Sequence, residues 1–230
     1  MRTAKIAASL LSGAFCLGLA GRSAQAQVPP IAERDTNWDA VSNVTMMISV
    51  ATVSLMPRVY YSSPDATVGW KARWHVSALA PIMSATALTL FVDGPIRNAV
   101  ESVRPGCTLD ETKALLPDSG CESFGGPSTQ AYAAWGATGA GVSIFLVDTF
   151  KYSDSELNIP YFAGEVLVPF SAAMVSSISR SQDGYGIGHE SFGQVLAGAL
   201  TGAASGLVLG LGYSLFQEPD CGYGGYLFCW

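Results

Sequence analysis

The stretch SFGQVLAGALTGAASGLVLGLGYSLFQ, from Ser191 to Gln217, decides the class of fold. It contains no charged residue and exceeds the roughly 20 apolar residues that a helix needs to cross a bilayer. It is also rich in glycine, alanine and serine, which allow helices in membranes to approach one another closely. We therefore predict a transmembrane helix here.

Similar uncharged stretches occur four more times along the chain. They are Ala40 to Pro57, Val76 to Val92, Ser123 to Val147, and Val166 to Ser179. The predicted fold class is therefore all-α, a helical bundle with about five transmembrane helices after a signal peptide. The alternative is a soluble helical bundle, because the many small residues weaken the hydropathy signal.

Composition supports the membrane interpretation and excludes one class of partner. Hydrophobic residues make up 49 % of the chain and charged residues 13 %, and the net charge is -6. The charged share is about half that of soluble domains. An acidic chain offers no basic surface to displace phosphate counterions, so we expect no nucleic-acid partner.

The first 26 residues have the pattern of a secretory signal peptide. Arg2 and Lys5 precede an apolar stretch from Ile6 to Ala20, and small residues precede a predicted cut after Ala26. An uncleaved signal anchor is the alternative. Either way, residues 27–230 are predicted to form one exported domain in the bacterial inner membrane. A soluble periplasmic protein is the second possibility.

The four cysteines of the exported part follow the same reasoning, because exported proteins tolerate disulfides. Pairing of neighbours joins Cys107 to Cys121 and Cys221 to Cys229, each pair enclosing a short loop. Free thiols are the alternative for the second pair.

The predicted topology places three polar clusters on one face of the membrane. If the first helix runs inward, the loop Arg58 to Trp74 is cytoplasmic, as its basic residues favour. The surroundings of Arg97, the loop Gly106 to Gly126 and the surroundings of Arg180 then share the periplasmic side.

The first cluster contains Arg97 and Arg104, which is followed by Pro105. Seven residues are two helical turns, so we expect both guanidinium groups on one helix face, where two forks can clamp a tetrahedral anion. Taken alone, the cluster could equally be a solvated helix end balanced by Glu101.

The second cluster, Pro127-Ser128-Thr129-Gln130, opens the third apolar stretch. A helix N-terminus offers backbone N–H groups to an anion, and the Ser128 hydroxyl could add a donor. Taken alone, Ser128 is best explained as a helix cap.

The third cluster joins Ser179-Arg180 to His189, just before the last apolar helix. A single histidine beside an apolar helix is more often structural than catalytic. The order of the three clusters alters that balance.

Together the clusters resemble the signature of the type 2 phosphatidic acid phosphatase superfamily, which includes bacterial acid phosphatases and vanadium haloperoxidases. The family pattern is Lys, six residues, Arg-Pro; then Pro-Ser-Gly-His; then Ser-Arg, five residues, His, three residues, Asp. The resemblance covers about residues 75 to 215. It implies that Arg97, Arg104 and Arg180 hold phosphoryl oxygens with help from Ser128, while His189 attacks phosphorus and forms a phosphohistidine. We expect no metal or other cofactor.

Two departures from the family pattern affect the predicted chemistry. Gln130 occupies the position of the histidine that protonates the leaving group, and glutamine cannot supply a proton. General acid catalysis typically contributes about 10²- to 10⁴-fold, and a diphosphate, whose leaving group is itself a phosphate, would suffer less from the loss. Gly193 replaces the carboxylate expected after the histidine. Asp183 and Glu190 are candidates for its role, unless both are solvated loop residues.

These residues predict a phosphatase-type hydrolase of lipid-linked phosphate or diphosphate, such as an isoprenoid diphosphate, with its site facing the periplasm. The alternative is a catalytically inactive family member that binds an anionic lipid headgroup or a protein partner through the same arginines.

Overall fold

Helices dominate the protein from Thr36 onward. The computed structural model describes residues 36–61, 69–73, 87–114, 121, 123–181 and 190–216. All of them belong to the unit Ile31–Trp230. The predicted signal peptide and the second cysteine pair lie outside the described residues.

The described elements confirm a mainly helical fold. In chain order they are α1 (Thr36–Leu55), β1 (Arg58–Tyr61), β2 (Trp70–Arg73), α2 (87–100, π-helical over Val92–Ile96), α3 (Leu109–Ala114), α4 (Thr129–Lys151), α5 (Ile159–Ser181, π-helical over Ala163–Leu167) and α6 (Phe192–Phe216). The two strands were not predicted. They pair antiparallel, with Arg58 opposite Arg73 and Tyr61 opposite Trp70, inside the predicted cytoplasmic loop.

Helix α4 is the centre of the bundle. In its most apolar 18-residue stretch 72 % of the residues are buried, against 28 % for α5 and for α6. It packs against α1, α5 and α6. The helix begins where the Ser128 side chain accepts a hydrogen bond from the backbone N–H of Ala131 at 3.3 Å, which caps the first turn.

Helices α4 and α6 touch backbone to backbone along a line of glycines at every fourth position of α6. A Cβ atom added to Gly198, Gly202, Gly206 or Gly210 would lie 2.3, 2.3, 2.0 and 2.7 Å from the carbonyl oxygens of Ser128, Tyr132, Gly136 and Ala140, respectively. Such separations are shorter than any real contact, so a side chain at these positions would push the helices apart. The small residues of α6 therefore have a definite role, which is close helix packing.

The outer surface of the bundle is apolar, whereas its interior carries polar side chains. Met47 of α1 and Val208 of α6 are 64 % and 70 % exposed, and other large apolar side chains surround them on both helices. Inside, Ser42 hydrogen-bonds Ser176, and Ser49 donates to the backbone carbonyl of Ala134 at 2.9 Å. This distribution suits a bundle whose surroundings are lipid.

Among the described residues, three helices are long and apolar enough to cross a membrane: α4, α5 and α6. The predicted span 40–57 does form a helix, α1, but α1 is not one of these three. It carries Asp39 and Asn43 within its length, and both reduce its apolar character. Most of the predicted span 76–92 lies outside the described residues.

Candidate functional site

The structure brings Arg97, Arg104 and Arg180 together from three separate segments of the chain. Arg97 lies on α2, Arg104 in the loop that follows it, and Arg180 near the end of α5. Their residues are only 6 %, 9 % and 4 % exposed. Three buried guanidinium groups at one end of α4 form the centre of the candidate site, here called the arginine cluster.

One prediction about this cluster was wrong. Arg97 and Arg104 were expected on one helix face, but α2 ends at Val100 because Glu101 takes a left-handed conformation with φ 48°. Arg104 therefore reaches the cluster from a loop. Its Nε donates to the backbone carbonyl of Ser123 at 3.1 Å and its Nη2 to the Ser123 hydroxyl at 3.2 Å.

Glu190 lies between two of the arginines. Its Oε1 accepts hydrogen bonds from Nη2 of Arg97 at 3.5 Å and from Nη2 of Arg180 at 3.4 Å, and its side chain is fully buried. Both contacts are long for charge-assisted hydrogen bonds, which usually span about 2.7–2.9 Å. Glu190, predicted as a possible partner of His189, therefore lies in contact with two of the arginines.

Asp39 of α1 supplies a second buried carboxylate. Its Oδ1 accepts from Nη1 of Arg180 at 2.8 Å. No sequence pattern predicts this contact, because Asp39 and Arg180 are 141 positions apart and belong to different predicted elements.

Asp93 and Thr129 complete the surroundings of Arg97. Nη1 of Arg97 donates to Asp93 at 2.6 Å and to the Thr129 hydroxyl at 3.1 Å, and that hydroxyl donates to Asp93 at 2.9 Å. Burial alone would raise the pKa of Asp93, but the hydrogen bonds from Arg97 and Thr129 lower it below its usual value. Spacing offered a signal here, since Asp93 precedes Arg97 by one helical turn.

The second motif contributes Thr129 rather than the predicted Ser128. Ser128 is fully buried and caps α4, and its backbone N–H donates to the carbonyl of Gln194 at 3.0 Å. Gln130 follows in the first turn, where its Oε1 is buried without a hydrogen-bond partner in the described part of the chain. His189 and Asp183 lie outside the described residues.

Gln194 of α6 fastens the loop that carries Arg104. Its Nε2 donates to the Ser102 hydroxyl and to the Val103 carbonyl, both at 2.8 Å. The predicted disulfide between Cys107 and Cys121 is confirmed, with 5.6 Å between the two Cα atoms. This disulfide joins the two ends of the segment that follows Arg104.

Several hydrogen-bonding atoms of the cluster remain unpaired within the described segments. They are Nε of Arg97, Nη1 of Arg104, Nε of Arg180 and Oε2 of Glu190, and all of them are buried. A buried polar atom without a partner costs about 1–3 kcal/mol, more when it is charged. Unpaired guanidinium donors in one cluster are therefore suited to bind an oxyanion.

Burial and neighbouring charges together set the pKa of Arg104. Burial is the largest cause that lowers this pKa, Arg97 and Arg180 also lower it, and Glu190 and Asp39 raise it, with a net value of about 10. Arg104 stays charged at neutral pH. Among the described residues, the three guanidinium groups face three carboxylates, those of the buried Glu190 and Asp39 and of the partly exposed Asp93.

Comparisons with known proteins do not identify a family for this chain. No protein-family model, no curated protein and no solved structure matches the chain. The phosphatase resemblance therefore rests on the ordered motifs and on the residues of the cluster.

A second buried charge cluster lies near the other end of α4. Nε of Arg58 donates to both carboxylate oxygens of Asp148 at 3.1 Å, and the Tyr161 hydroxyl donates to Asp148 at 2.7 Å. Arg58 also lies over the ring of Tyr152. Glu165 is buried nearby, with Oε2 unpaired within the described residues.

Proposed function

We propose that this chain is a membrane-embedded phosphatase-type hydrolase that acts on lipid-linked phosphate or diphosphate from the periplasmic side. The observation that supports the proposal is the meeting of Arg97, Arg104 and Arg180 with unpaired, buried N–H donors. Clustered guanidinium groups stabilise the charge that spreads over phosphoryl oxygens in the transition state. Five transmembrane helices and a cleaved signal peptide belong to the same proposal.

His189 would carry the covalent step. Its imidazole nitrogen bonds to phosphorus as the bond from phosphorus to the leaving oxygen breaks, and the leaving oxygen keeps the electron pair. Water then attacks the phosphohistidine, which releases inorganic phosphate and restores the imidazole. The three arginines hold the phosphoryl oxygens throughout both steps.

The residue at position 130 favours a diphosphate substrate. Gln130 can donate a hydrogen bond but cannot protonate a leaving alkoxide. Attack on the terminal phosphorus of a diphosphate breaks its bond to the bridging oxygen and expels a phosphate monoester, which needs no proton from the protein. An isoprenoid diphosphate combines this leaving group with a tail suited to the apolar surface of α5 and α6.

The test measures phosphate release by the purified full chain in detergent, from an isoprenoid diphosphate and from a lipid monophosphate. We expect release from the diphosphate, a loss of at least about 100-fold in His189→Ala, and a similar loss in Arg104→Ala. Lys113→Ala is the matched control, because Lys113 is an exposed cation paired with Glu101 outside the cluster. Gln130→His should raise monophosphate hydrolysis.

Equal, slow release by wild type and His189→Ala would end the enzyme hypothesis. If both proteins still bound the lipid and Arg104→Ala did not, the chain would be an inactive binder of anionic headgroups. The orientation has a separate test, labelling of Cys107 and Cys121 by an impermeant thiol reagent before and after reduction. Labelling from the periplasmic side only after reduction is expected.

A further inference from the structure

Glu190 is an unusual residue to find inside an anion site. A carboxylate repels an oxyanion, and one fully buried among the arginines cannot be screened by water. A site built only to attract negative charge would have no use for it. Glu190 can orient His189, as predicted, block the site, or make a contact that a particular anion can use.

The two carboxylate oxygens of Glu190 differ in their surroundings. Oε1 is shared by Arg97 and Arg180, whereas Oε2 is buried and finds no hydrogen-bond donor in the described part of the chain. An ionised carboxylate only accepts hydrogen bonds. The group that completes the cluster must therefore offer one donor to Oε2 as well as acceptors to the arginines.

The arginines present the complementary requirement. Nε of Arg97, Nη1 of Arg104 and Nε of Arg180 are three donors without acceptors among the described residues. A tetrahedral oxyanion that still carries one proton satisfies both sides, with bare oxygens for the guanidinium groups and one O–H for Glu190. Phosphate and phosphomonoesters can carry that proton near neutral pH, because their second pKa is about 6 to 7.

We propose that Glu190 is a specificity-determining residue, which selects an oxyanion bearing an O–H group, such as a terminal phosphoryl group, and rejects fully deprotonated anions such as sulfate. The inference rests on the proposed function, since it takes the arginine cluster as the site where the phosphoryl group binds. Sulfate has the same shape and charge as the phosphate dianion but no proton. It would place a bare oxygen against Oε2 of Glu190.

The test is calorimetric binding of inorganic phosphate and of sulfate to the full chain in detergent at neutral pH. Wild type should bind phosphate at least about 100-fold more tightly than sulfate, because sites that hydrogen-bond a ligand hydroxyl reject the analogue without it by up to about 10⁵. In Glu190→Gln the amide N–H₂ donates instead, so sulfate binding should improve until the two affinities lie within about tenfold. Glu101→Gln, an exposed residue paired with Lys113, should keep the wild-type preference.

Each outcome separates this inference from the proposal beneath it. Equal binding of phosphate and sulfate by wild type overturns the role of Glu190 and leaves the anion site standing, and this comparison needs no variant to fold. Binding of both anions by Glu190→Gln but of neither by wild type also overturns it, since Glu190 would then block every anion. Binding of neither anion by either protein removes the anion site itself.

A third ligand distinguishes the source of the phosphoryl group. A short-chain phosphatidic acid carries the same protonatable phosphate on an apolar tail. Displacement of phosphate by this lipid at lower concentration, together with sulfate rejection, supports selection of a lipid phosphomonoester. Sulfate rejection without displacement supports selection of the free ion by the same Glu190 contact.

Discussion

The two ends of α4 hold buried charges in opposite arrangements. At the C-terminal end, one arginine, Arg58, faces Asp148, which also accepts a hydrogen bond from Tyr161. At the N-terminal end, three arginines lie together with Asp93, Glu190 and Asp39, and they keep N–H donors that find no acceptor among the described residues. Since Thr129 and Asp148 are 19 positions apart on a helix, the two clusters are separated by about 28 Å, close to the thickness of a bilayer core.

The difference separates a structural ion pair from a candidate ligand site. The surplus group beside Arg58 is the carboxyl of Glu165, and a carboxyl group can be neutralised by a proton. The unpaired groups of the arginine cluster are N–H donors of guanidinium groups, which keep their charge at neutral pH. Oxygen atoms of an anion can accept from such donors, so the N-terminal end of α4 is the candidate ligand site.

The largest expected effect comes from breaking the ion pair between Arg58 and Asp148 at the C-terminal end of α4. Asp148→Ala leaves Arg58 buried without a carboxylate, and loss of one partner of a buried pair typically costs about 3 to 5 kcal/mol. Unfolding of the purified chain in detergent, followed by circular dichroism, measures the loss. Asp110→Ala, at an exposed position, is the control. A loss no larger than that of the control would show that the pair does not hold this end together.

The next largest effect is stabilisation of the folded chain by phosphate bound at the arginine cluster. Phosphate at 100 times its dissociation constant should stabilise wild type by about 2.7 kcal/mol, because it binds the folded chain alone. The protection should vanish in Arg104→Met and persist in Asp148→Ala if that variant folds. A thermal shift by phosphate in Arg104→Met as large as in wild type would place the anion elsewhere.

Without phosphate, removal of an arginine from the arginine cluster should change the free energy of unfolding little. Arg104→Met removes one of three like charges together with its hydrogen bonds to Ser123, and these two effects oppose each other. We expect a change within about 1 kcal/mol, because the lost hydrogen bonds to Ser123 are each worth about 0.5–1.5 kcal/mol and relief of repulsion from Arg97 and Arg180 offsets them. Chemical unfolding without phosphate gives the value. A loss as large as that of Asp148→Ala would make the cluster structural.

The smallest effect is the loss of folding stability at low pH that is linked to Asp93, beside the arginine cluster. Hydrogen bonds from Arg97 and Thr129 lower the pKa of Asp93 in the folded chain. Its stabilising contribution is therefore complete above the unfolded value near 3.9 and is lost as the pH falls through the lower folded value. Between about pH 5 and about pH 3, wild type should lose slightly more stability than Asp93→Asn. Because Asp93 is largely exposed, the difference should be a few tenths of a kcal/mol.

The sequence was sufficient to predict the helical class, the pairing of Cys107 with Cys121 and the set of arginines that meet. These features depend on local composition and on the order of motifs. The sequence was not sufficient to predict which hydroxyl group contacts the arginines. Ser128 caps α4, whereas the neighbouring Thr129 hydroxyl accepts from Arg97. Asp39 could not be predicted at all, since nothing local connects α1 to Arg180.

Sequence patterns also could not predict the end of α2 or the position of Glu190. The seven-residue spacing of Arg97 and Arg104 suggested one helix, but the left-handed conformation of Glu101 ends α2 between them. The position of Glu190 between two arginines depends on how α5 and α6 are joined. A carboxylate predicted to orient a histidine lies in contact with two arginines, while the histidine itself lies outside the described residues.

The line of glycines between α4 and α6 limits where the protein can move. Close backbone contact at four glycines of α6 leaves little room for side chains to rearrange between these helices, so we expect the pair to move together. Under the proposed function, an anion would therefore reach the arginines by movement elsewhere. The loop that carries Arg104 is tied to α6 by Gln194, which leaves α1 with Asp39 and α5 with Arg180. Entry of the anion would then act on the contacts that Arg180 makes with Asp39 and Glu190.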